Sequence, residues 1–228
     1  VPTAGFWEGT ARRPTGGFEY ELARRLAGRF GLDGVRIRIV HFHRLVAGEL
    51  GGADIGLSLL TPTPEREASL DFSSPYLDSP PTVVVRSGAE VPDLANAEEL
   101  RWGAVRGTTF VDTIAERIAP EPATRIYDDH DQMLAALEAG RVDAVLFDLP
   151  LAVAIAGDSG GRLEAVAQLP GEEQIAAALP QGSDNVEAVD SAIRALTADG
   201  TIHDLLDEWV GPAAADAEHA LPLLRTSR

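Results

Sequence analysis

Amphipathic helical segments, most of them closed by glycine, alternate along this chain with short apolar runs, and that alternation narrows the fold to sheets covered by helices. From Gly17, the segment GGFEYELARRLAGRFGL sets Phe18, Leu22, Leu26 and Phe30 on one face, with Arg24, Arg25 and Arg29 opposite and Gly31 closing it. Val35 to Val40 predicts a strand, in which Val35, Ile37 and Ile39 alternate with Arg36, Arg38 and Val40. A short helix over Arg44 to Leu50 then leads through Gly51 and Gly52 to the apolar stretch Ala53 to Leu60. The middle repeats the logic: strands at Thr82 to Ser87 and in WGAVR, a helix from Thr109 to Ile118, a strand in TRIY, and a helix from Asp131 to Ala139 stopped by Gly140. RVDAVLFD reads as a buried strand ending in an acid, followed by a helix from Leu149. A strand in EEQIAAALP, a capped helix in DNVEAVDSAIRALTADG and a last helix from Ile202 to Trp209 complete the pattern. Beyond Gly211 and Pro212 the tail is expected as a surface arm, with Leu221, Leu223 and Leu224 able to dock.

Composition removes whole classes of function. The 228 residues carry 19 basic and 36 acidic side chains, a formal charge of −17, which argues against nucleic acid or an anionic membrane surface as a partner. Every basic residue is arginine, so P-loop nucleotide chemistry, Schiff-base catalysis and a lysine general base are excluded. The lack of cysteine excludes thiol nucleophiles, iron–sulfur clusters and thiolate zinc sites. No apolar run reaches the ~20 residues of a membrane helix. Val1-Pro2-Thr3-Ala4-Gly5 lacks the basic-then-apolar pattern of a secretory signal, and a signal peptide or lipid anchor removed upstream is the expectation.

Five segments taken in order, GFEYELARRLA, ADIGLSLLTPTPEREASLDFSSPYLDS, WGAVRGTTF, MLAALEAGRVDAVLFD and SAIRALTADGTIHDLLDEWVG, make the chain resemble the amino-acid-binding family of bacterial solute-binding proteins. Those proteins are receptors that deliver solutes to ABC importers. The matched stretches run from Gly17 to Gly211, and their joint order is far more specific than any one of them. The resemblance implies an α/β fold of the type II periplasmic-binding-protein kind, with two lobes, each a mixed sheet flanked by helices, around a ligand cleft. Residues 1–83 and 175–228 would form the first lobe and 84–174 the second, joined by hinge strands at Thr82 to Ser87 and about Gln174 to Pro180. It also implies an extracytoplasmic location, periplasmic or as a cell-surface lipoprotein, a membrane permease as partner, a monomer, and no cofactor or metal.

An α-amino acid presents a carboxylate beside an ammonium, so a selective site needs a fixed cation with donors for one and an acid for the other. By the resemblance, Arg66 in TPTPER forks onto the ligand carboxylate and Thr61 lines the same pocket. Thr109 in RGTTF donates to that carboxylate, at a helix start whose N–H groups also face the anion, with Thr108 and Gly107 shaping the turn. Asp148, closing VDAVLFD, takes the ammonium. Leu59 stands where many relatives have Gly or Ser, which would leave its backbone carbonyl to meet the ammonium. The family's first strand, with its aromatic near the ligand, is missing or truncated before Val1, so Phe6, Trp7 and Phe42 or His43 are the candidates for an aromatic wall.

Blander roles compete for the same residues. Arg66 can be a surface arginine paired with Glu65 or Asp71, and Asp148, ahead of Leu149-Pro150, can simply cap a helix. Arg12, Arg13 and Arg106 would favour an acidic ligand but also suit a solvated surface. His41 and His43 would project to one side as half a metal site, or as a partly buried packing pair. Ser58, Ser73 and Ser74 lack a G-x-S-x-G frame. Two rival functions share the resemblance: a cyclohexadienyl or arogenate dehydratase-like enzyme, and the ligand-sensing ectodomain of a signalling protein. The enzyme would need a proton-donating acid, for which the matched segments offer only Asp148, already claimed by the ammonium, and Glu19 and Glu21 on an unoriented helix.

Overall fold

A computed structural model of the chain describes residues 3–10, 12–171, 173–211 and 221–225. Two compact units emerge: Val1–Asp78 with Glu173–Ala215, and Ser79–Glu172 with Asp216–Arg228. The chain begins in the first unit with β1 (Glu8–Thr10), β2 (Arg13–Gly16), α1 (Phe18–Arg29), the single turn α2 (Phe42–Leu45), β3 (Gly56–Leu60), α3 (Pro64–Glu67) and β4 (Leu70–Asp78). It builds the second unit from β5 (Pro81–Arg86), α4 (Leu94–Glu99), β6 (Trp102–Val105) and α5 (Phe110–Thr113), which continues as a π-helical turn, Ile114–Ile118. There follow β7 (Arg125–Tyr127), α6 (His130–Glu138), β8 (Ala144–Asp148), α7 (Leu149–Asp158) and β9 (Leu163–Gln168). Back in the first unit come β10 (Gln174–Pro180), α8 (Val186–Ala198) and α9 (Thr201–Trp209).

In the first unit β10 lies between β3 and β4, antiparallel to both. Its residues 175–179 are all buried, which is why it reads as a continuous Ile/Ala/Leu run rather than an alternating one. Helix α1 buries Phe18, Leu22 and Leu26 as its periodicity foretells, together with Ala23, whereas Phe30, expected on the same face, follows the last helical residue and is 42% exposed. Gly17 starts that helix at φ 110°, and a Cβ there would sit 2.3 Å from the Phe6 carbonyl oxygen, so only glycine lets the N-terminal turn close on the helix.

The second unit holds a mixed five-stranded sheet in the order β7-β6-β8-β5-β9. β6 runs parallel to β7 and β8, while β5 runs antiparallel to β8 and β9. Val83, Val85, Trp102, Phe110, Ile114, Ile118 and Leu146 form its core. The Trp102 indole N–H donates to the Ala97 carbonyl at 2.8 Å, so the largest core ring carries no unsatisfied donor.

Several elements depart from the sequence expectation. Residues 35–40 are not a strand, and Ile39 is 55% exposed. Alternation supplies a face but not a partner, and among the described residues no strand pairs with this segment. The helix expected over Arg44 to Leu50 is the shorter α2. The hairpin β1–β2, helix α4 and strand β9 have no clear periodic signature and were not expected; α4 begins at the Asp93 cap, whose carboxylate accepts from Asn96 N–H at 3.0 Å.

The crossings between units also fall earlier than residues 83 and 174, at Asp78/Ser79 and Glu172/Glu173. Each leads directly into paired strand: Gln174 pairs with Asp78 in the first unit, and Thr82 pairs with Gln168 in the second. Residues 82–87 and 174–180, expected as hinge strands, correspond to β5 in the second unit's sheet and β10 in the first unit's. The C-terminal segment, expected with residues 1–83, joins the second unit instead. Leu223 bridges in parallel to Gln168 on the edge strand β9, and Leu224, 3% exposed, enters that unit's core. The rest of the expected arm, residues 212–220 and 226–228, lies outside the described residues.

Candidate functional site

In the first unit, β3 delivers the chain to a tight turn. Thr63 caps α3, its hydroxyl accepting from Arg66 N–H at 3.2 Å, and Pro64 supplies the fixed φ of the first helical position. This one-turn helix carries Arg66 inward, to 7% exposure. Nη1 donates to the Thr61 carbonyl at 2.7 Å, and the guanidinium lies over the half-buried Phe42 ring, 5.7 Å from its centroid. Withdrawing a guanidinium from water is costly unless its donors are engaged, so the carbonyl and the ring hold the fork in a defined pose. Asp71, one suggested surface partner, instead accepts from Gly182 N–H at 2.7 Å and Ser183 N–H at 3.2 Å. The Thr61 hydroxyl donates across 3.4 Å to Glu173, where the chain re-enters this unit.

Beside this turn stands Leu59 at φ 49°, a left-handed conformation rare for a branched side chain. Its N–H donates at 2.7 Å to Oε1 of Glu19, which also accepts from the Tyr76 hydroxyl at 2.6 Å, while Oε2 accepts from the Trp7 indole at 2.7 Å. Glu19 is 1% exposed; burial pushes its carboxyl above the ordinary range, against the pull of the bonds from Tyr76, Leu59 and Trp7. Of the two neighbouring aromatics, Phe6 is fully buried edge-on to Phe18, its ring taken up by the core, so it cannot serve as an aromatic wall. Trp7 is half-buried and packs its ring against Tyr20.

In the second unit, β6 ends in a turn at Gly107, φ 82°. Thr108 fastens it: its N–H and hydroxyl both donate to the Val105 carbonyl, at 3.2 and 2.8 Å. Thr109 follows at the head of α5, half-buried, and its side chain makes no cap bond. Arg106 is exposed and pairs with Asp128 at 3.3 Å, a surface role. Asp148 ends β8 at 6% exposure. It occupies the cap position of α7, yet its side chain does not cap. Ser79 does that work, accepting from Leu149 N–H at 3.2 Å while donating to Asp148 Oδ1 at 3.0 Å. The helix-cap explanation of Asp148 therefore fails, and a buried carboxylate remains that helix geometry does not require.

Sequence reasoning passed over Ser79 and left Glu19 unoriented. Glu19 had a signal: at spacings of three, four and seven it shares the apolar face with Leu22, Ala23 and Leu26. Ser79 had none, because its partner lies 69 residues away. His41 and His43 stack at 5.7 Å on the surface, not as the partly buried pair expected, and among the described residues no three metal-ligating side chains come together.

Arg66 in the first unit and Asp148 in the second are thus buried and of opposite charge, with the Thr61 carbonyl at Arg66 and the Ser79 hydroxyl at Asp148. Comparison with known proteins gives the family and the fold. The L-cystine-binding protein TcyJ of Escherichia coli strain K12 is 27% identical over 200 residues, 86% of this chain and 74% of its own length. The arginine-, lysine-, histidine-binding protein ArtJ of Geobacillus stearothermophilus superposes with a TM-score of 0.79 at 23% identity, over 91% of this chain and 90% of that one. The GluR0 ligand-binding core of Nostoc punctiforme, solved with L-glutamate, gives a TM-score of 0.74 at 25% identity, over 86% and 92%. The fold is that of the type II periplasmic binding proteins. Residues 9–212 match the family profile of the bacterial extracellular solute-binding proteins, family 3, and the chain belongs to that family.

Proposed function

We propose that the chain is an extracytoplasmic receptor that captures an amino acid and passes it to the permease of an ABC importer. One observation carries this reading: Arg66 and Asp148, both buried, offer opposite charges that suit the carboxylate and the ammonium of one zwitterion. Thr61 and Thr109 add hydroxyl donors for the carboxylate, and Phe42 and Trp7 offer aromatic surface to a side chain. The names of TcyJ and ArtJ, which bind cystine and basic amino acids, support an amino acid as the class of ligand. In this reading binding energy does the selecting, and the receptor needs no nucleophile.

A dehydratase on this frame would need a buried acid with a proton to give to a leaving hydroxyl. Glu19 is the buried acid of helix α1, and both its oxygens accept bonds inside the core, which argues against that role. The ectodomain of a sensor would be a second use of the same binding chemistry, and the likeness to the GluR0 ligand-binding core, solved with L-glutamate, supports amino-acid binding in either case. A thermal-shift screen of the twenty amino acids, L-cystine, prephenate and arogenate tests the reading. At a hundred times its dissociation constant a true ligand stabilises the fold by about 2.7 kcal/mol. A shift with one or a few amino acids is expected; silence from every amino acid, or turnover of prephenate or arogenate, contradicts the proposal.

A further inference from the structure

We propose that Glu19 is a positioning residue for the first unit's share of the ligand site: from inside the fold it holds Leu59 in the left-handed conformation that places Thr61 and Arg66. The inference rests on the receptor reading above, and it assigns to Glu19 control of affinity without contact with the ligand.

Three obligations meet on this carboxylate. The Leu59 amide and the Trp7 indole can only donate, and each takes a different oxygen, so neither bond can be reversed. Tyr76, itself buried on β4, donates to the oxygen that Leu59 also uses. Four segments converge on one side chain: the N-terminal turn, α1, the end of β3, and β4. The turn is fastened to the same helix through its backbone, with Phe18 N–H donating to the Gly5 carbonyl at 2.8 Å and Glu19 N–H to the Phe6 carbonyl at 3.2 Å.

The route from Glu19 to the site is two residues long. Leu59 at φ 49° sits where the pairing of β3 with β10 shifts register, fully buried Leu60 resumes that pairing opposite Ala176, and the carbonyl of Thr61, next along the chain, accepts from Arg66 Nη1. A leucine does not hold that backbone conformation by preference, and the bond from its N–H to a buried carboxylate supplies the restraint that a glycine's freedom would make unnecessary. Glu19 and the departure from glycine at position 59 are therefore two halves of one device.

Glu19→Gln separates positioning from shape. Glutamine keeps the volume but has one acceptor oxygen for three donors, and its amide nitrogen cannot accept from Trp7 or Leu59. The probes are the twenty amino acids and L-cystine, titrated calorimetrically, with amide exchange of Leu59 followed in ligand-free protein. Glu19→Gln is expected to weaken binding about tenfold or more and to speed Leu59 exchange about tenfold. In a Leu59→Gly background, where the conformation no longer needs holding, the same change should cost about threefold or less. A role confined to packing would give equal losses in both backgrounds. Tyr76→Phe, which leaves the carboxylate in place, provides a second variant if Glu19→Gln does not fold, and should shift affinity and Leu59 exchange in the same direction. Unchanged affinity and exchange in Glu19→Gln, or an undiminished loss in the Leu59→Gly background, overturns the inference. Wild-type protein that binds no probe, while Leu59 exchange still responds to position 19, overturns the receptor reading and leaves the coupling standing.

Discussion

Leu59 shows how much of this site depends on single backbone angles. A residue at φ 49° tolerates glycine or asparagine and resists a β-branched side chain. Leu59→Val, a small change in polarity and size, should destabilise the protein by about 1–2 kcal/mol in urea unfolding; an unchanged midpoint would show that the conformation is not restrained. Asp148 makes the complementary point about side chains. Its place after a buried strand and before Leu149-Pro150 was legible in the sequence, as was Arg66 in its TPTPER turn, but burial and partners were not. Only the structure distinguishes an aspartate that caps a helix from one whose capping duty Ser79 has taken over. Phe6 and Trp7 were equivalent candidates for an aromatic wall by residue type. One side chain's difference in direction puts Phe6 in the core and leaves Trp7 half-buried.

Elements follow the sequence where their stabilisation is local and depart from it where it is not. α1, α6, α8 and α9 carry an apolar stripe of helical period, so their places could be read directly. Residues 35–40 have the stripe of a strand but no partner strand among the described residues, and β9 is a strand because β5 and Leu223 flank it. Ion pairs bind elements in the same non-local way. Asp143, just before β8, accepts from the Arg101 side chain at 2.6 and 2.7 Å, from Arg101 N–H at 3.1 Å and from Arg86 at 3.2 Å. Those bonds, those from Arg101 foremost, hold its carboxyl down at about 2, against the usual 3.8. Because the folded value is depressed, this contribution to stability is present above about pH 4 and is lost as the pH falls toward 2. Asp143→Asn should cost about 1–2 kcal/mol at neutral pH and flatten the acid limb of the melting curve between those values. An acid limb unchanged by the substitution would assign it to other groups.

At the scale of the molecule, the division into two units is invisible to periodicity, since both are α/β and the first is assembled from distant stretches of chain. It became legible through the order of five family-like segments, and the positions of the crossings had to come from the structure. Residues 221–225 add a contact that no periodic signal announced, a bridge from Leu223 to Gln168 on the edge of the second unit's sheet. The charge of −17 belongs to this scale too and opposes association with polyanions. The central proposal is that ligand binding requires both Arg66 and Asp148. It is tested most directly by calorimetric titration of the amino acid that gives the largest thermal shift into wild type, Arg66→Ala and Asp148→Ala. Loss of either partner of a buried charge-assisted contact should weaken binding by about thirtyfold or more. A dissociation constant within about threefold of wild type in either variant, with the fold intact, would contradict the account.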